Sequence, residues 1–303
     1  ISSGFGDSNE MRLVRLDGSV VHRWPVRLFS IFPNPNHIEP PDRTPKTEWN
    51  AELHGGAVLP DGSVVFNFEG AGMAKLDKCG VVQWALPRMT HHSLERAQGG
   101  GFWAGSHRYV SDPAILPPFR VPFLEDTVLR VSDEGHVMQE ISVPGLFLKN
   151  GLSALLLIHA QMPQIAPSVG DRLGLEIPYR DLTHLNDTEE LSGETAVAFP
   201  QFAPGDLLIS VRELNTIMVF SPVTEQVKWH QTGPWIAQHD PDFQKNGRMT
   251  VFSNNNDGTP AGSSLGGSTV VEVDPVTGTA RTLYGGSPRQ RVYSNIRGKH
   301  QKL

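Results

Sequence analysis

The chain has 303 residues, 19% of them charged, with 30 glycines, 24 prolines and a net charge of −6. That length can bury a sizeable core, and the composition is globular and turn-rich rather than disordered. An acidic balance without a Lys/Arg run argues against a nucleic-acid partner, because such affinity rests on neutralising phosphates. The longest apolar run, Leu152–Ile158, is far too short to span a bilayer. Cys79 is the single cysteine. It excludes an internal disulfide and a cysteine-built metal cage, and it reads as a small buried side chain near a turn. The chain starts at Ile1 without a signal peptide, so a processed or truncated product is expected.

In chain order, "EMRLVRLDGSVVHRW" (Glu10–Trp24) reads as two strands, and the Pro-rich stretch Arg27–Asn50 as a long surface loop. From His54, "HGGAVLPDGSVVFNFEGAGMAKLDKCGVVQWAL" gives strands separated by turns at Asp61–Gly62 and Gly80, the last one ending at Trp84. A similar unit opens at "HHS", with His91 and His92. It continues through "GFWAGSHRY", breaks for a loop at Ser111–Asp126 and resumes in "TVLRVSDEGHVMQEISV". Lys149–Asp181 is a further insertion, expected to be partly irregular. His184 starts "HLNDTEEL", followed by "GDLLISVRELNTIMVFSPVTEQVKWH". His239 starts "HDPDF", with a turn at Asn246–Gly247 before "RMTVFS" and then "STVVEVDPVTGTARTLY". "GKHQKL" begins the pattern again at His300.

The core unit is about 40 residues, the size of a four-stranded propeller blade. Alternating Val, Ile, Leu, Phe and Thr favour strands, and helical periodicity is almost absent. The expectation is all-β: one β-propeller domain over 1–303, with six four-stranded blades. N- and C-terminal strands would close the ring, since open sheet edges invite aggregation. The end after Leu303 looks incomplete, and a β-sandwich is the alternative. In a propeller, residues entering the innermost strands meet at one mouth of the channel. His54, His92, His184, His239 and His300 are therefore expected at one structural position, either gathered as a site or tying blade to blade.

Convergent histidines suit metal binding, yet no tight ligand spacing such as HExxH is present, so no metal is expected. They also suit group transfer, with one neutral imidazole attacking and a cation holding oxyanions. Arg212, in a strand of otherwise uncharged residues, would be that cation. Its structural alternative is a pair with Glu189 or Glu213, and Glu213 is the poorer partner because strand neighbours point to opposite faces. Phe102, Trp103 and Trp235 read as core residues more readily than as walls of an aryl pocket. Asn254–Asp257 reads as a turn rather than a calcium loop.

"THLNDTEE", "GDLLISVRELNTIMVFSP", "VKWHQTGPWIAQHDPDF" and "GKHQKL" resemble the bacterial arylsulfate sulfotransferases, the family that does not use 3′-phosphoadenylylsulfate. The resemblance runs from about Met11 to the end and is strongest from His184 to Asn256. It implies a six-bladed propeller, a periplasmic or secreted location, an aryl sulfate donor and a phenolic acceptor, without a cofactor. It implies His239 as a nucleophile that becomes sulfohistidine. His184, Asn186 and Arg212 would bind sulfuryl oxygens, with His92 as a further catalytic histidine and His91 competing for its place. His54 would line the substrate site. Asn186 also begins a glycosylation sequon, for which a pocket residue is poorly placed. The family's disulfide has no counterpart here. A polysaccharide lyase or hydrolase using "SHRY" (Ser106–Tyr109), or a non-catalytic binding module, are the competing readings.

Overall fold

Short runs of Val, Ile, Phe and Thr between Asp-Gly and Asn-Gly turns form antiparallel strands in the computed structural model, which describes residues 2–5, 8–116, 119, 121–157, 180–287 and 289–301. Two units are resolved: residues 1–109 with 127–140, and residues 110–126 with 141–303.

In the first unit, β1 (Ser2–Phe5), β2 (Ser8–Val14) and β3 (Val20–Pro25) form a three-stranded sheet in the order β1-β2-β3. β1 is a third strand beside the two expected over Glu10–Trp24. The next sheet is a meander of β4 (Leu53–Val58), β5 (Val64–Phe68), β6 (Gly72–Leu76) and β7 (Val82–Leu86), in sequence order. Next come β8 (Met89–Arg96), β9 (Phe102–Val110), β10 (Phe123–Val131) and β11 (Val137–Ser142). Thr127–Val131 and Val137–Glu140 are the parts of β10 and β11 that belong to this unit. Val65, Met73, Leu94, Phe102, Leu129 and Val131 make its core.

The second unit contains two further meanders. One is β13 (Leu185–Glu190), β14 (Leu207–Val211), β15 (Thr216–Phe220) and β16 (Val227–Thr232). The other is β17 (His239–Phe243), β18 (Met249–Ser253), β19 (Thr269–Val273) and β20 (Ala280–Gly285). A two-residue strand, β12 (Arg180–Asp181), runs parallel to the start of β10. Leu208, Ile217, Val219, Trp235, Met249 and Val251 lie in this unit's core.

The burial pattern explains the order of strands. Every residue of β5, β14 and β15 is buried, whereas β7, β16 and β20 are mostly half-buried or exposed. A middle strand covered on both faces tolerates a continuous apolar run; an outer strand needs polar residues facing water. Trp24, Trp84 and Trp229 each sit on the last strand of their sheet. Trp84 donates its indole N–H to the Asp133 carbonyl at 2.9 Å.

Three local expectations change. Arg27–Asn50 is no simple surface loop: Leu28, Phe32 and Ile38 are buried, and the Glu48 carboxylate accepts from the Leu28 N–H at 2.6 Å and the Phe29 N–H at 3.1 Å. The Ser111–Asp126 loop ends early, because Phe123–Asp126 already belongs to β10. Cys79 is exposed on the turn that Asp77 closes by accepting its N–H, so it is not a buried core residue. Within the Lys149–Asp181 insertion, residues 158–179 lie outside the described residues.

Candidate active site

The first strand of four sheets is bulged. Pairing register breaks between Leu53 and Gly56, His91 and Leu94, Leu185 and Asp187, and His239 and Asp242. A bulge re-aims side chains at the end of a strand. It also shifts phase, and this corrects the expectation of five equivalent histidines. His54 and Asp240 both follow the last paired residue before the break, so His239 holds the register place of Leu53. His92, His184 and Asp240 share the left-handed conformation, with φ of 53°, 52° and 52°. Such values are uncommon outside glycine and cost on the order of 1 kcal/mol or more. His300 starts no strand among the described residues. Its N–H donates to Asp240 Oδ2 at 2.6 Å and its Nε2 lies 2.7 Å from Thr250 Oγ1.

In the second unit, His239 is buried. Its Nδ1 lies 2.7 Å from Asn254 Oδ1 and 3.2 Å from the Ala237 carbonyl, two acceptors that put the ring proton on Nδ1 and the lone pair on Nε2. Asn254 is itself fixed, donating to the carbonyls of Ser294 at 2.9 Å and Arg297 at 2.7 Å. Burial, above all, takes the His239 pKa down to about 4; the nearby charges of Arg212 and His184 push the same way, against the two hydrogen bonds. The imidazole is neutral at pH 7. Asp240 does not orient it. Burial would raise the Asp240 pKa, but bonding to His300 and the charge of Lys299 hold it below the usual carboxylate range.

Gln238, just before His239, anchors the strand end. Its side-chain amide donates to Ser210 Oγ at 3.1 Å, the Val211 carbonyl at 3.2 Å and the Thr216 carbonyl at 3.0 Å. Its carbonyl accepts from Asn186 Nδ2 at 2.6 Å, tying β13 to β17. Asn186 is buried, and its Oδ1 has no hydrogen-bond partner among the described residues. The Arg212 N–H donates to the His184 carbonyl at 3.0 Å. Arg212 starts a 3₁₀ turn (Arg212–Leu214) instead of continuing β14. Neighbouring side chains can therefore meet, and Arg212 pairs with Glu213, the partner strand geometry had disfavoured.

His54, His91 and His92 lie in the first unit, around Glu69. His54 Nδ1 pairs with Glu69 Oε2, His92 Nδ1 is 3.7 Å from the same oxygen, and His91 Nδ1 is 3.0 Å from His92 Nδ1. Burial would raise the Glu69 pKa, but the His54 hydrogen bond and the charges of His92, His91 and His54 hold it well below the usual range. Asn67 bridges the two strands, accepting from the Gly55 N–H at 2.6 Å and donating to the His92 carbonyl at 3.2 Å.

The other candidates fall out plainly. Phe102 and Trp235 belong to the two cores, and the buried Trp103 ring lies 5.2 Å from the Arg130 guanidinium. In "SHRY", Ser106 and His107 are buried and Arg108 is exposed, so the four do not present one face. The Asp257 carboxylate accepts from the Thr259 and Leu265 N–H groups, as a turn does. Sequence reasoning missed Asn254 and Glu69 as partners of the histidines; each follows a strand, without a motif around it.

A family model, Arylsulfotransferase (ASST), matches residues 55–303, which takes in every histidine of the second-unit group. The chain belongs to the arylsulfotransferase family. Membership implies small aryl donor and acceptor molecules as substrates. No curated protein matches the sequence. Among solved structures, a Bacteroides caccae protein of unknown function is similar at 12% identity and a TM-score of 0.50, over 97% of this chain and 72% of that one. Virginiamycin B lyase from Staphylococcus aureus is more distant, at 10% identity and a TM-score of 0.39 over 80% and 73%. The WD40 repeats of RRP9 align at 10% and 0.44, over 78% of this chain and 52% of theirs. No helix among the described residues is long and apolar enough to cross a membrane.

Proposed function

We propose that this arylsulfotransferase moves a sulfuryl group from an aryl sulfate to a phenol through a sulfohistidine at His239, in the periplasm or outside the cell. The four-stranded meanders are taken as blades of a six-bladed propeller. The observation that carries the reading is the buried, neutral His239 with its ring proton engaged by Asn254 and its lone pair on Nε2. In the first step Nε2 forms a bond to sulfur as the sulfur–oxygen bond to the aryl group breaks and a phenolate leaves. In the second, the oxygen of an acceptor phenol attacks sulfur, the N–S bond breaks, and His239 returns to its neutral form as the acceptor proton passes to solvent. Charge gathers on the peripheral oxygens of a loose transition state, as in phosphoryl transfer. Arg212 would bind two of them with its planar fork. His184 would take the third or protonate the leaving phenolate. The Asn186 side chain, buried beside the His239 strand, would contribute a polar contact.

The test is direct. With 4-nitrophenyl sulfate and a phenol acceptor, His239→Ala should release no nitrophenolate above background while remaining folded. Acid-free mass spectrometry of the wild-type protein after brief exposure to donor should find one sulfuryl group on the peptide containing His239. Full activity of the variant, or a label on another residue, rejects the assignment.

A further inference from the structure

We propose that His54, Glu69 and His92, in the first unit, form a binding site for a divalent first-row transition metal, with zinc the best match. One donor atom from each lies within 4.8 Å of the other two. Two imidazoles and one carboxylate are a borderline-soft set that suits zinc, and three protein ligands with one open position are the usual form of a reactive zinc site.

The three donors come from separate elements, and the backbone around them is prearranged. His54 lies in β4, Glu69 directly after β5, and His92 in the bulge of β8. β4 and β8 approach closely because Gly55 has no side chain: a Cβ there would sit 2.3 Å from the His92 carbonyl oxygen. Asn67 fastens both strands at this point. Glu69 is held by its own N–H to the Glu52 carbonyl at 2.8 Å and by the Gly70 N–H to the Thr90 carbonyl at 2.9 Å. The two imidazole rings stand 4.3 Å apart by their centroids, both turned toward the same carboxylate oxygen.

Metal ligands must present lone pairs, and this set can. An ion would replace the proton between His54 Nδ1 and Glu69 Oε2, and its donors would stand roughly 3.3 Å apart around a tetrahedral zinc. The Glu69 side chain, 30% exposed, has room to turn by that amount, while His54 at 16% and His92 at 10% are better packed. The same exposure gives an ion a way in and leaves space for a water as fourth ligand. The His91 Nδ1 contact to His92 Nδ1 would be given up on binding.

The full chain, stripped with chelator and titrated with Zn2+ in a calorimeter, should bind one ion at this site, and Co2+ should give the visible absorption of a tetrahedral complex. Loss of an outer-shell partner typically costs roughly 10–100-fold in affinity, so Glu69→Gln and His54→Ala should each cost at least that much. Asp242→Asn, in the separate group Asp240, Asp242 and His300, should leave this affinity unchanged. In crystals grown with zinc, an anomalous peak should lie between His54, Glu69 and His92. The wild-type readouts stand even if a variant misfolds. No stoichiometric binding, a peak elsewhere, or affinity lost in Asp242→Asn but kept in Glu69→Gln overturns the proposal.

Discussion

At the scale of single residues, Asn254 is what makes His239 more than another buried imidazole. The ring would hold its proton on either nitrogen in solution; the Asn254 Oδ1 acceptor selects Nδ1. Asn254→Asp should therefore change the acidity of the site rather than only its shape. A carboxylate beside an imidazole favours the cation and shifts a pKa by about 1–3 units. The His239 pKa, about 4 in the native protein, should rise by that amount, and the acid limb of the transfer rate should move up with it, as imidazole NMR and a pH–rate profile would record. An unmoved limb would mean that His239 is not the attacking group. Arg212→Lys checks the cation differently: it keeps the charge and loses the fork, so the rate should drop by about 10²–10³-fold if Arg212 meets two sulfuryl oxygens. Near-normal turnover would leave Arg212 with only its Glu213 pair. His239, His184, Arg212 and Asn186 are candidates from the sequence because motifs surround them. Asn254 and Glu69 could not, since what makes them matter is a hydrogen bond across 15 residues in each case.

At the scale of elements, the repeated unit of strands and Gly turns was readable because alternation and turn dipeptides are local signals. The meanders starting at β4, β13 and β17 follow sequence order as that pattern implies. The bulges were not readable, because a bulge is defined by two strands together and a one-residue slip reverses which side chains face which way. That is why His239 and His54 looked equivalent while the ladder pairs them differently. Arg212 shows the same limit: an apolar run ran straight through the residue where β14 gives way to a 3₁₀ turn. Gly55 tests the close approach of β4 and β8. Gly55→Ala places a Cβ against backbone, the His92 carbonyl and the Leu94 N–H, with no flexible side chain to yield. Overpacking of that kind costs about 1–3 kcal/mol, and the midpoint of thermal unfolding should fall accordingly. An unchanged midpoint would show that the strands can separate here at no cost.

At the scale of the whole molecule, the acidity of His239 links the candidate site to stability. Its pKa is about 4 in the folded protein against 6.5 for an ordinary imidazole, so the unfolded chain binds this proton more readily. Above pH 6.5 neither state is protonated and the group contributes no pH dependence. Between 6.5 and 4 the unfolded state takes up the proton while the folded state does not, so stability falls as pH falls, and below 4 the loss levels off. A gap of that width corresponds to a loss on the order of 3 kcal/mol. Urea unfolding of wild type and His239→Gln at pH 7 and pH 4.5 should show the difference: the variant lacks the titrating group and should lose less stability on acidification by most of that amount. Carboxylates such as Glu69 and Asp240, held ionised in the fold, also lose stabilising interactions in acid, but they do so in both proteins and cancel in the comparison. Equal acid sensitivity of the two proteins would mean that His239 is solvated or protonated in the native state, and the neutral-nucleophile reading would fall with it.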